Sequence, residues 1–252
     1  MDSDWLNPLM GLMLSDDKIS AIQPKIISYN SREQFEYAGA SGGLIDKFGY
    51  PFCRGRLFDE LEMDEGQYDD RMEVFWATGA ALLVRADVYK SLGGLDQDFF
   101  AHMEEIDLCW RMKNAGYQVW VEPNSTVYHI GGGTLNAHSP KKVYLNFRNN
   151  LILIAKNMPR MAAIRVILIR LLLDGLAGIK FVMDGESKSA LMIVKAHWAF
   201  FGKVKFYWKK RQSGPDLQSP KSLAGFVNLS MVFQYFAKGV TRFSDIKKPP
   251  TK

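Results

Sequence analysis

The sequence predicts an α/β sheet domain followed by C-terminal amphipathic helices. Three observations carry this. Short strand-like runs alternate with short helices up to about residue 158, the pattern of a sheet covered by helices. An apolar run, "MAAIRVILIRLLLDGLAGIKFVM", then replaces the alternation. Charge also divides along the chain: residues 1–140 carry a net −11 and residues 141–252 a net +16. That polarity points to an acidic catalytic or binding half and a basic half facing an anionic partner. The 252 residues are 47% hydrophobic, enough for a core. Cys53 and Cys109 form neither a metal-spacing pair nor a disulfide framework, which fits a reducing compartment.

Taken in order, residues 4–17 read as a helix, because Trp5, Leu6, Leu9, Met10, Leu12 and Met13 recur as an apolar stripe. Ile22 to Ile27 reads as a buried strand, with Pro24 oddly placed for a strand centre. Residues 28–73 have no clear periodicity, and their aromatics argue for an ordered excursion. Val74 to Val84 reads as a strand, and Ala86 to Leu92 as a short helix ended by Gly93-Gly94. "EEIDLCWRMKNAGY" is a helix with Gly116 just past its end. "QVWVEP" and "STVYHI" read as two strands parted by a turn at Pro123-Asn124, and "GGGT" as a loop. Residues 141–158 read as a helix.

In the apolar run, Arg165, Arg170, Asp174 and Lys180 fall within about half the helix circumference. Four charges argue against a bilayer span and suit a helix lying in the interface. The next stretch, "KAHWAFFGKVKFYWKKRQ", mixes aromatic and cationic residues, which suits an anionic membrane surface. A helical packing extension with a solvated basic face is the other reading. Nucleic acid is not expected as a partner, since no nucleic-acid motif accompanies the charge.

The chemistry concentrates between residues 76 and 134. Glu104, Glu105 and Asp107 open a helix, where acids complement the helix dipole. Phe99, Phe100 and Ala101 precede them, and an apolar surround raises a carboxylate's proton affinity, which suits a general base. Arg111 stands four residues after Asp107, so the two can pair and leave Glu104 or Glu105 to face a pocket. His129 ends a strand beside Gly131-Gly132-Gly133, whose lack of side chains lets backbone approach a bulky ligand.

From Trp76 to about Asn149 the chain resembles the second half of family 2 glycosyltransferases of the GT-A fold. The residues carrying the likeness are Thr78-Gly79-Ala80 to Arg85, Gly93-Gly94-Leu95-Asp96 to Phe99-Phe100, Glu104 to Arg111, Ala115-Gly116-Tyr117, and Tyr128-His129 to Gly133. Five short motifs in one order are far more specific than any single one. The resemblance implies an α/β, Rossmann-like GT-A sheet domain that lacks its N-terminal nucleotide-binding half. It implies an acceptor-side domain at 1–158 and a membrane-associating extension at 159–252. In this family about 90–100 residues of donor-binding domain come first. "Trp5-Leu6-Asn7-Pro8-Leu9" resembles a helix start that follows the family's D-x-D, so Asp2-Ser3-Asp4 is expected to cap that helix.

The resemblance further implies inverting transfer of a sugar from a nucleotide-sugar donor to a glycan or lipid-linked acceptor, in bacterial polysaccharide or lipopolysaccharide synthesis. Glu105 matches the family's aspartate that deprotonates the acceptor, one methylene longer, and Glu104 is its alternative. His129 matches the histidine that helps hold a divalent metal, Mg or Mn. Trp76, Thr78, Gly79 and Ala80 match the lining of the donor-sugar and acceptor site, and Asp107 and Arg111 join them as substrate-binding candidates. The expected place is the cytoplasmic face of the inner membrane, held peripherally. Without a donor half, this chain alone is expected to show no turnover. A non-catalytic membrane-associated module that binds acceptor or partner is the competing reading.

Overall fold

The computed structural model describes residues 4–131, 139–211 and 217–246. They fall into two units, one of residues 1–95, 108–131 and 220–252, the other of residues 96–107 and 132–219. The composition changes at 158, but the helix before that point groups by packing with the helices after it.

The first unit holds α1 (Leu6–Ser15), β1 (Ile19–Ser28), β2 (Gly43–Asp46), β3 (Pro51–Cys53), β4 (Arg56–Leu57), β5 (Glu60–Leu61), β6 (Met72–Glu73), β7 (Leu83–Val84) and α2 (Ala86–Ser91). Helix α3 (Glu104–Asn114) begins in the second unit and ends in the first, followed by β8 (Gln118–His129). One sheet has the order β6-β8-β1-β7, with β1 and β8 parallel and the outer strands antiparallel. β1 is buried along its length except for Ser28, and Leu9, Leu12 and Met13 of α1 join Ile19 and Ile22 in a core cluster. Its buried polar residues find partners: Ser20 donates to the Gln118 carbonyl, Gln23 to the Gly39 carbonyl and Lys25 to Asp64.

Three expectations are corrected here. The two strands expected at 118–129 are one strand with a bulge. Pro24 pairs with Glu122, the next pair is Lys25 with Thr126, and residues 123–125 are extruded. Proline has no N–H to give the ladder, which explains the break there. The strand expected over 74–84 is also absent as such. Only Leu83–Val84 pairs with β1, while residues 74–78 run buried and touch the second sheet through a Gly43–Trp76 bridge. Finally, residues 28–73 are not irregular. They form most of a second sheet, ordered β5-β4-β3-β2-β9, which β9 (Phe226–Val227) joins parallel to β2. Its strands are two to four residues long, too short to show a period.

Asp2 and Ser3 of the expected helix cap lie outside the described residues. Asp4 takes the backbone N–H of Asn7 on its main-chain carbonyl and the Asn7 amide on its carboxylate; the residue at the cap position of α1 is Trp5, and no side chain caps the helix there. Helix α8 (Met231–Lys238) closes the first unit, capped by Ser230, and Asp46 accepts from the Met231 N–H at 2.9 Å.

The second unit is helical: α4 (Pro140–Asn157), α5 (Arg160–Met183), α6 (Ser187–Gly202) and α7 (Val204–Lys209). Ser139 caps α4 with Pro140 in the first turn. α5 is inverted relative to an ordinary surface helix. Its buried positions are Ala163, Ile167, Arg170 and Asp174, whereas Met161, Leu168, Leu172, Leu176, Ile179 and Met183 face out. The buried charges satisfy one another: Arg170 Nε lies 3.2 Å from Asp174 Oδ1, His197 Nε2 lies 3.0 Å from Asp174 Oδ2, and Arg170 donates to Asn150. Among the described residues no helix is long and apolar enough to cross a membrane.

Candidate active site

The acidic first turn of α3 follows a backbone in an uncommon conformation. Phe100, His102 and Met103 have φ of 64°, 68° and 72°, a region that non-glycine residues occupy at a cost of about 1–3 kcal/mol each. Such a turn persists only where its surroundings fix it. Asn149 of α4 does this with one amide, donating to the carbonyls of Phe99, Ala101 and His102 at 2.9, 2.8 and 2.7 Å. Arg148 adds bonds to the Asp98 and Phe99 carbonyls and orients Asn149 through its Oδ1.

Within the same unit, Asp107 is fully buried and accepts from Lys156 and Asn157. Lys156 also reaches Asp96 at 2.6 Å, and Lys210 reaches Asp96 and Asp98. Burial works against ionised Asp96, but Lys156 and Lys210 overcome it and hold the carboxyl below its ordinary range. α4 therefore grips the segment that carries the acids at both ends.

The two glutamates differ from Asp107. One carboxylate oxygen of Glu104, one of Glu105 and Nε2 of His102 are shielded from solvent and have no hydrogen-bond partner among the described residues. Buried orphan polar atoms are costly, so each requires a reason, and a catalytic role is one. Burial, with the neighbouring Glu104 charge adding to it, pushes the Glu105 carboxyl up to about 7. Burial, helped by Lys142, pushes His102 down, so its imidazole is neutral at pH 7. A carboxyl poised near neutrality can take a proton from a hydroxyl.

The other candidates lie in the first unit. The Trp76 indole is buried, packs on Gly43 and donates to the Leu44 carbonyl at 2.9 Å; a Cβ on Gly43 would meet that ring at 2.2 Å. The Thr78 N–H donates to Gln23 Oε1, and its hydroxyl accepts from the Ala80 N–H. Gly79 is exposed and Ala80 half-buried, so this turn reaches the surface of its unit. Arg111 is buried and donates to the Leu92 and Gly94 carbonyls at 2.7 Å, holding the end of α2. The structure thus brings Glu104, Glu105 and Asp107 together in one unit, and Trp76, Thr78, Gly79, Ala80, Arg111 and His129 belong to the other.

His129 ends β8, and its Nδ1 lies 3.0 Å from Glu36 Oε2. Glu36 is buried and also accepts from the Ala38 N–H. A Cβ at Gly131 would come within 2.4 Å of Glu36, so this glycine makes room for that carboxylate. A carboxylate on Nδ1 fixes the ring and its tautomer and directs Nε2 outward, the arrangement of a ligating histidine. Among the described residues no three metal-ligating side chains cluster, so His129 offers one position. Gly132 and Gly133 lie outside the described residues.

Sequence reasoning missed His102, Asn149, Arg148 and Glu36. Asn149 had a signal: two adjacent asparagines in a helix interior run against helix propensity, so they are there for their amides. Glu36 had none, because nothing in sequence links positions 36 and 129.

No protein-family model matches the chain. It is 27% identical over 161 residues to the dTDP-rhamnosyl transferase RfbF of Shigella flexneri, covering 59% of this chain and 54% of that protein. It is 38% identical over 88 residues to the N-acetylglucosaminyl-diphospho-decaprenol L-rhamnosyltransferase of Mycobacterium tuberculosis, covering 35% of this chain and 28% of that protein. A third similarity, 35% over 65 residues, is to the rhamnosyltransferase WbbL of Escherichia coli K12, covering 26% and 24%. All three relatives are glycosyltransferases, and the chain spans about half of their length or less.

Proposed function

We propose that this chain forms the acceptor-side part of an inverting glycosyltransferase of family 2, with a GT-A sheet. The sugar passes from a nucleoside-diphosphate donor to a glycan or lipid-linked acceptor in cell-surface polysaccharide synthesis. The relatives make rhamnosyl transfer the first activity to assay. The observation that carries the reading is Glu105, with its proton affinity near neutrality and its orphan oxygen. Glu105 takes the acceptor's hydroxyl proton as that oxygen attacks the anomeric carbon, and Glu104 keeps its affinity high. Asp107 and Arg111, both buried, hold α3 in place, while the 78–80 turn contributes to the donor and acceptor surface. His129, aimed by Glu36, would offer Nε2 to a divalent metal, Mg or Mn. Bound there, the metal would supply positive charge for the departing diphosphate.

The basic, aromatic helices from 160 to 211 support a peripheral position on the anionic cytoplasmic face of the inner membrane. The outward apolar face of α5 supports this.

The test uses the chain extended to the length of its relatives, with dTDP-rhamnose and a lipid-linked N-acetylglucosamine acceptor. Glu105→Gln should lower kcat by about 100-fold or more with KM little changed. Full activity in that variant overturns the base assignment. Acceptor binding without any turnover would favour a non-catalytic module.

A further inference from the structure

We propose that the groove between α5 and α6 holds one hydrocarbon chain of an anionic membrane lipid. This rests on the membrane placement proposed above and goes beyond it, from a surface to a site. The groove encloses about 420 Å³ and is walled by Leu171, Ile179, Ile193 and Val194, with Gly175 and Gly178 along it. Asp174 and His197 also line it, but their polar atoms face each other and Arg170. The groove therefore offers a chain apolar wall and little that binds water.

The glycines show that this space is not needed for helix packing. A Cβ on Gly175 would meet nothing within 4 Å, and one on Gly178 only Ile193 Cδ1 at 3.8 Å. Two helix-weakening residues stand three apart where ordinary side chains would fit. Their effect is an open channel. Around it the surface is apolar: Leu172 is 73% exposed, Met183 82% and Trp198 78%. Exposed apolar side chains beside an apolar groove point to a partner that is itself apolar.

Charge selects among apolar partners. Residues 160–211 hold eleven Lys and Arg against three Asp and Glu. Arg165, Lys188 and Lys195 are exposed on the same two helices, while Lys180 pairs with Asp184 at 2.6 Å. A second copy would bring like charges together, whereas a lipid with an anionic headgroup suits both the apolar groove and the cations of the two helices that form it.

The 252-residue chain is mixed with phosphatidylglycerol or phosphatidylcholine vesicles, extracted in mild detergent and weighed by native mass spectrometry. Wild type should retain one phosphatidylglycerol per chain, at least tenfold more than phosphatidylcholine. Gly175→Leu and Gly178→Leu fill the channel without breaking the helix, and circular dichroism checks that they fold. They should lose at least tenfold in retained lipid while vesicle co-sedimentation falls less than threefold. Equal retention in wild type and the leucine variants overturns the site, as does a lipid-free dimer whose mass depends on concentration. Failure of wild type to co-sediment overturns the membrane placement separately. One lipid retained from detergent and lost in Gly178→Leu would still uphold the groove.

Discussion

Glu105 shows how a single side chain acquires a chemical role from its surroundings. Burial and the like-charged Glu104 outweigh the backbone hydrogen bonds that favour its anion, so the protonated form is favoured in the folded chain. A ¹³C carboxyl titration should give a midpoint near 7, and Glu104→Gln should lower it by removing the like charge. An unchanged midpoint would assign the shift to burial alone. The sign for stability follows from linkage. The raised folded-state value favours folding below about 4.5, and this is lost as pH rises through 7. Glu105→Gln should therefore match wild type below pH 4.5 and exceed it above pH 7 by about 1–3 kcal/mol in urea melts. Asn149 is the second decisive residue. Asn149→Ala removes three bonds from a strained turn and should cost about 2–3 kcal/mol, with faster hydrogen exchange confined to residues 99–103. Uniform exchange across the helical unit would show that the amide is not specific to the turn.

At the scale of elements, legibility followed length. The helices α1 and α4 and the end of α3 at Gly116 could be read because several turns of apolar spacing accumulate evidence. The second sheet could not, because strands of two to four residues never complete an alternation. What defines that sheet is close backbone approach. A Cβ on Gly225 would lie 2.1 Å from the Phe75 nitrogen, and Gly225 has a φ of +79°. Gly225→Ala should cost about 3 kcal/mol or more, enough to lower Tm by over 5 °C. Gly11→Ala, in α1 with open space around it, should instead gain about 0.5–1 kcal/mol. Differential scanning calorimetry of both variants checks the contrast, and equal shifts would contradict it.

Over the whole molecule, charge polarity and the acidic motif were legible because they depend on composition and local order. The grip of α4 on the acidic segment was not, since it joins residues some fifty positions apart. Nor was the inversion of α5, because a sequence shows that charges cluster on a helix but not which side faces inward. The membrane reading makes a prediction at this scale. Binding to phosphatidylglycerol vesicles should weaken at least tenfold between 0.05 and 0.5 M salt, as long-range attraction is screened, roughly. Salt-independent binding would assign the affinity to the apolar face alone.

The break at Pro24 has one more consequence, and it concerns phase. Side chains on a strand alternate, and directly paired residues of neighbouring parallel strands share a face. Before the break Val119 and Val121 pair with Ala21 and Gln23; after it His129 pairs with Ser28. The three extruded residues are an odd number, so odd positions of β8 exchange faces across the bulge. His129 can meet Glu36 only because of that exchange. Removing one residue from 123–125 while three stayed extruded would pair His129 with Ile27 in place of Ser28, turning the imidazole to the opposite side of the sheet with every residue name at the site unchanged.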